Sequence, residues 1–75
     1  MIIKVSRHAK RRAALYKIPK STVERILATL ELADGEHELI RDMSGFKYPI
    51  KIVVAVENDI MTVITNYPLK KGRIK

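Results

Sequence analysis

The chain has no cysteine, little aromatic content and no acid at either end. Without cysteine there are no disulfides, thiolate metal sites or thiol nucleophiles. The lack of cysteine, with no apolar run behind the basic start at Lys4 and Arg7, leads to the expectation of a cytoplasmic protein without a targeting segment. No apolar run approaches the roughly 18 residues of a membrane span. The longest, Ile52 to Val56, has the length of one buried strand. Glycines are few and scattered, which excludes a glycine-rich phosphate loop. His8 and His37 show no HxxxH or HxxE spacing, so neither a metal nor another cofactor is expected.

What is present is charge, unevenly placed. The formal net charge is +7 over 75 residues. All eight acids fall between Glu24 and Asp59. Residues 1–20 carry seven cations (Lys4, Arg7, Lys10, Arg11, Arg12, Lys17 and Lys20) and no acid. Lys70, Lys71, Arg73 and Lys75 close the chain. If both basic ends share a face, they form a cationic patch suited to a phosphate backbone. The alternative is a solvated surface that keeps a small protein dispersed.

The length and 47% hydrophobic content predict a single domain spanning 1–75, with an economical core of Ile, Val, Leu and Ala. Its basic tail, residues 69–75, is expected to be flexible. Ile2 to Val5 reads as a short strand. Ser6 reads as the N-cap of a helix running to about Tyr16, which places His8, Arg12 and Tyr16 along one stripe. Pro19 breaks that helix. Ser21 and Glu24 have capping-box spacing. The second helix is expected to run to Leu32 or Ala33, with Val23, Ile26, Leu27 and Leu30 as a core stripe. After Asp34-Gly35 the period becomes two. Strands are predicted over Glu36 to Arg41, Pro49 to Glu57 and Ile60 to Tyr67, with turns at residues 43–46 and at Asn58-Asp59. In the last strand, alternation groups Ile60, Thr62, Ile64 and Asn66 on one side and Met61, Val63, Thr65 and Tyr67 on the other. The predicted class is α+β, in the order β-α-α-β-β-β. Two N-terminal helices cover one face of a three- to four-stranded antiparallel sheet.

The chemistry open to such a chain is phosphate-directed. RNA can be cut without a metal when its 2′-hydroxyl attacks the adjacent phosphate. That requires a base, an acid and cations to stabilise the phosphorane. Histidine serves proton transfer near neutrality, arginine matches phosphate oxygens, and tyrosine donates a proton or stacks on a base. The candidate catalytic residues are His8, Arg12 and Tyr67. The candidate nucleic-acid contacts are Arg7, Lys10, Arg11, Lys70, Lys71 and Arg73. Structural roles compete with these. His8 would instead bond a strand carbonyl and lock the helix to the sheet. Arg12 would pack its stem and pair with Glu57 or Asp42. Tyr16 reads as a core residue, and His37 as a surface strand residue.

The run Ser6-Arg7-His8-Ala9, then Arg12, Ile18, Val23 and Ile26-Leu27, resembles the N-terminal half of a family of small bacterial and archaeal domains of unknown function. Those domains begin with a Ser-x-His-Ala…Arg helix, followed by a short link and a Val-x-x-x-Leu helix. Lys51 to Val56 and Met61 to Tyr67 resemble the same family's closing hairpin, which often ends in Thr-x-Tyr. That family is grouped by fold with the RelE-like and BrnT-like toxins of toxin–antitoxin modules, which are ribonucleases or translation inhibitors. The resemblance implies a helical pair on a curved antiparallel sheet, and RNA, ribosome-associated or free, as substrate. It also implies an acidic antitoxin as protein partner. The matching positions are His8, Arg12, Thr65 and Tyr67. Many members carry a second arginine and then a glycine where this chain has Tyr16 and Lys17. A non-catalytic RNA- or DNA-binding module and a protein-interaction domain are the competing readings.

Overall fold

The computed structural model describes residues 2–43 and 45–69. Ser44 of the predicted turn and residues 70–75 of the predicted tail lie outside them. Strand β1 (Ile2–Val5) leads into helix α1 (Arg7–Tyr16) and helix α2 (Lys20–Ala28). Strands β2 (Gly35–Arg41), β3 (Ile50–Glu57) and β4 (Ile60–Pro68) follow. The α+β class and the β-α-α-β-β-β order are as predicted. The sheet is not antiparallel throughout. Its strand order is β1-β4-β3-β2, and β1 runs parallel to β4. Hairpin logic reaches only neighbours in sequence. The β1–β4 pairing spans the whole chain: both helices, β2 and β3 lie in sequence between the two strands, a connection of the length a parallel pair requires.

The β3–β4 hairpin closes as its residues dictate. Asn58 and Asp59 both take positive φ, 53° and 65°. A two-residue type I′ turn needs that pair of angles, and Asn and Asp tolerate them. Along β3, Ile50, Ile52, Val54 and Val56 are buried. With Met61 and Val63 of β4 they form the sheet side of the core, against Ala9, Ile18, Val23 and Leu27. The predicted α2 stripe is the one that packs, with Val23 and Leu27 buried and Ile26 and Leu30 half-buried.

One irregularity redirects β4. Val53 pairs with Thr65 but Val54 pairs with Val63, so Ile64 has no cross-strand partner. This bulge shifts the alternation by one residue. Asn66 is therefore buried, while Thr65 and Tyr67 stand on the opposite side of the sheet from the core, beside Val53 and Lys51. The simple alternation read from sequence is corrected here: Thr65 and Tyr67 do not share a face with Met61 and Val63.

Ser6 does more than cap. Its Oγ accepts from the Ala9 N–H (3.0 Å) and donates to the Ile64 carbonyl (2.9 Å). Its own N–H donates to the Val63 carbonyl (3.0 Å). The start of α1 is thus fastened to the bulge. At the other end Lys17 closes α1 in the left-handed region (φ 56°, ψ 42°), where a Cβ is penalised.

Helix α2 differs from expectation at both ends. It starts at Lys20 behind Pro19, and no side chain caps it. The fixed φ of proline places the Pro19 carbonyl to accept from Thr22 and Val23. The Ser21–Glu24 box is superseded, and Glu24 instead faces Lys20 at 3.9 Å. The helix stops at Ala28, before Leu32. Thr29 Oγ1 donates to the Ile26 carbonyl (2.8 Å), and Leu30 bonds back only three residues. Of the predicted tail, Leu69 is held by its N–H to the Pro49 carbonyl (2.8 Å). No helix among the described residues is long and apolar enough to cross a membrane.

Ser6→Ala should lower the unfolding free energy by about 1–2 kcal/mol, the usual cost of a lost N-cap. Lys17→Gly should raise it by about 0.5–1 kcal/mol by relieving the left-handed cap. Urea unfolding followed by circular dichroism measures both.

Candidate functional site

Helix α1 lies along the C-terminal half of β4, beyond the end of β1. Its residues divide into stripes set by the helical period. Ala9 is fully buried, and lets the helix backbone approach the strand. His8, Arg12 and Tyr16 line a cleft, facing Lys51, Thr65, Tyr67, Pro68 and Leu69. The cleft is open and has a volume of about 550 Å³. Two predicted catalytic residues thus come from α1, and the third, Tyr67, comes from the strand that the bulge turns outward.

His8 is exposed and, among the described residues, makes no hydrogen bond. The locking role weighed for it belongs to Ser6. Arg12 is half-buried, and its Nη1 donates to the Tyr16 hydroxyl at 3.4 Å. It pairs with neither Glu57 nor Asp42. Among the described residues, ion pairs join Lys20 to Glu24 and Lys51 to Glu38, which leaves the Arg12 charge available to the cleft. Tyr16 packs on the core and also lines the cleft. His37 is half-buried, with Nε2 2.7 Å from the Ala33 carbonyl. It braces the approach to β2, away from the cleft.

The predicted nucleic-acid contacts separate. Arg7 and Arg11 are exposed on the stripe beside His8 and Arg12. Lys10 lies on another side of α1 and lines a different cavity. Lys70, Lys71 and Arg73 fall outside the described residues.

Sequence reasoning missed Lys51. It sits directly opposite Tyr67 across the β3–β4 ladder. Its Nζ is 3.0 Å from Glu38 Oε1 on β2, reached diagonally because Glu38 itself faces Val53. The hydrogen bond that Lys51 donates to the Glu38 carboxylate raises the Lys51 pKa, partial burial opposes this, and Tyr67 adds to the rise. The signal was present in the alternation of β3: Lys51 is the lone cation in an otherwise apolar strand interior, opposite a candidate tyrosine. Among the described residues no three His, Asp or Glu side chains cluster in a way that would hold a metal. The cleft instead gathers an imidazole, a guanidinium, an ammonium, a threonine hydroxyl and two phenols. That set suits an anion with ionisable or hydrogen-bonding neighbours.

No family model, curated protein or solved structure matches this chain.

Glu38→Gln should return the Lys51 pKa toward the ordinary lysine value of 10.5, read by an NMR titration of its Cε. Because folding raises this pKa, the pair's stabilisation is fully present below that ordinary value. It is lost as pH rises through the raised one. The variant should therefore lose stability at pH 8 and differ little from wild type in strong alkali.

Proposed function

We propose that the chain is an RNA-directed protein whose cleft between α1 and β4 cleaves the phosphodiester backbone without a metal. The observation that carries this reading is the convergence of His8, Arg12, Lys51 and Tyr67 on one open cleft. Residues far apart in sequence supply each group the reaction needs.

In the proposed reaction the His8 imidazole takes the proton of the 2′-hydroxyl. The 2′-oxygen forms a bond to phosphorus as the bond to the 5′-oxygen breaks. Tyr67 donates its proton to that leaving oxygen, which yields a 2′,3′-cyclic phosphate and a free 5′-hydroxyl. Arg12 and Lys51 offset the charge that builds on the phosphorane. Arg7 and Arg11, exposed on the adjoining stripe, hold the flanking phosphates. Lys70, Lys71 and Arg73, which follow Leu69 in sequence, are assigned the same part. This reading agrees with the resemblance to domains grouped with RelE-like and BrnT-like toxins. It implies a cytoplasmic toxin acting on free or ribosome-associated RNA and restrained by an acidic antitoxin. The Tyr16-Lys17 departure leaves Arg12 as the one arginine of the cleft wall among the described residues.

The test is RNA cleavage in EDTA, with and without ribosomes, by wild type and folded variants. His8→Ala should lower the rate about 10²- to 10⁴-fold, the range expected for a lost proton-transfer group. Arg12→Ala should lower it about 10²- to 10³-fold. Arg11→Glu should weaken RNA binding and reduce its salt dependence. Salt-sensitive binding without cleavage under any condition would replace this reading with a binding module that uses the exposed Arg7–Arg11 stripe.

A further inference from the structure

The cleft between α1 and β4 has two unlike ends. Ser6 meets the Ile64 carbonyl at the start of α1, and the Ala9 carbonyl, three residues on, accepts from Asn66 Nδ2. The helix therefore advances in the same direction as the strand. At roughly 1.5 Å per helical residue and about 3.3 Å per strand residue, His8 stands level with Thr65, Arg12 with Tyr67, and Tyr16 with Leu69. All of these line the cleft. One end thus offers an imidazole and a hydroxyl, and the middle offers Arg12, Lys51 and Tyr67. The far end is walled by Tyr16, Pro68 and Leu69, with no charge among the described residues that line it.

Both sides of the far end are held in place. Tyr16 is half-buried, packs on the core and accepts from Arg12 Nη1 at 3.4 Å. Leu69 is half-buried, and its N–H donates to the Pro49 carbonyl at 2.8 Å. An apolar wall next to a guanidinium suits a nucleotide, whose flat base packs on aromatic and aliphatic surface while its phosphate stays with the cations. The proposed cleavage decides which base this is. In-line displacement puts the attacking 2′-oxygen and the leaving 5′-oxygen on opposite sides of phosphorus. His8 serves the first and Tyr67 the second, and Tyr67 stands nearer the far end. The leaving nucleotide therefore continues past Tyr67 toward Leu69, while the ribose that carries the 2′-hydroxyl turns toward His8.

We propose that RNA lies in the cleft with its 5′-to-3′ direction running from His8 to Leu69, and that the base of the leaving nucleotide seats against Tyr16, Pro68 and Leu69. The inference rests on the cleavage reading above and adds to it a strand direction and a base subsite. Contact with this wall is through aromatic and aliphatic surface, so any base enters, and a purine, with the larger ring system, is favoured over a pyrimidine. The His8 end has no comparable apolar wall among the described residues. The base on the 5′ side is therefore not selected.

The test uses the full chain and deoxynucleotide strands that hold a single ribonucleotide, hence one cleavable phosphodiester. Removing the base of the leaving nucleotide should lower kcat/KM about tenfold or more, the loss expected for one base–aromatic stack. Removing the base of the ribonucleotide itself should leave it nearly unchanged. Tyr16→Ala should make the intact and leaving-abasic strands equal substrates, whereas Tyr16→Phe should keep their ratio. If Tyr16→Ala does not fold, Leu69→Ala must narrow the ratio. A binding arm needs no cleavage. Adenosine 5′-monophosphate joins the phosphate to the nucleoside of the leaving side. In NMR titrations it should bind more tightly than adenosine 3′-monophosphate or ribose 5-phosphate, and it should shift the Tyr16 ring and the Leu69 amide. Strands that stay intact while the 5′-monophosphate shows this preference would remove the cleavage reading and leave the base seat standing. Cleavage that ignores the leaving base overturns the inference and leaves the cleavage reading standing. The inference is also overturned by a larger loss for the missing 5′ base, by a ratio that persists in Tyr16→Ala, and by a preference for the 3′-monophosphate.

Discussion

The structure depends on how Ser6 grips the bulge in β4. A serine between a strand and a helix ordinarily satisfies one free amide of the first turn. Here the same oxygen also donates to the Ile64 carbonyl, and the Ser6 amide extends the β1–β4 ladder by one bond to Val63. Ile64 has no partner on β3, so a bulge and a cap serve each other. The consequence is positional. The direction in which α1 leaves the sheet is fixed within its first turn, and His8, two residues on, comes to stand over the outward-turned end of β4.

The charge distribution follows from that placement. A helix carrying Arg7, Lys10, Arg11 and Arg12 with no acid in its first turn opposes its own dipole. Self-repulsion among such cations costs stability. The fold contains the cost by pointing Arg7, Lys10 and Arg11 into water and by burying the small Ala9 as the contact with β4. Arg12 is the exception. It is half-buried, and among the described residues its side chain hydrogen-bonds only the Tyr16 hydroxyl. The acids of β2 lie across the sheet, where Glu38 engages Lys51. Lys51 therefore enters the cleft as a positioned cation, in contrast to the freely solvated arginines. The proposed phosphodiester chemistry would use both kinds, one to attract the anion and one to orient it.

Much of this was legible in the residues. The 3.6 period of Val23, Ile26, Leu27 and Leu30 and the alternation of Ile50, Ile52, Val54 and Val56 each identify the face that is buried. Asn58-Asp59 identifies the hairpin, and Ser6 the start of α1. The stripe of His8, Arg12 and Tyr16 is a direct product of helix geometry and does line the cleft. What escaped is non-local. The partner of β1 depends on a pairing between the two ends of the chain, and local patterns carry no trace of its direction. Lys51 stands out locally as the lone cation inside β3, but its significance comes from standing opposite Tyr67 and diagonal to Glu38, both set by register. The early end of α2 turns on a single side chain, Thr29, bonding back to Ile26.

The bulge was the least legible feature and has the largest effect, since it exchanges two faces of one strand. Uninterrupted alternation from Met61 and Val63 would bury Thr65 and Tyr67 and place Asn66 in the open. Nothing in residues 60–68 announces a break: Ile64 is β-branched and as strand-prone as its neighbours. The break is stabilised from elsewhere, by Ser6 on the freed carbonyl, and it has a cost. An amide side chain now sits in the core with one long hydrogen bond and an acceptor that no donor among the described residues meets, a burial that apolar residues would avoid. In return a phenol and a hydroxyl reach the cleft beside Lys51. The cleft on one side of α1 and the unsatisfied Asn66 on the other are thus two results of one displaced residue. A substitution that straightened β4 would remove the Tyr67 wall of the cleft and bring Asn66 out of the core together.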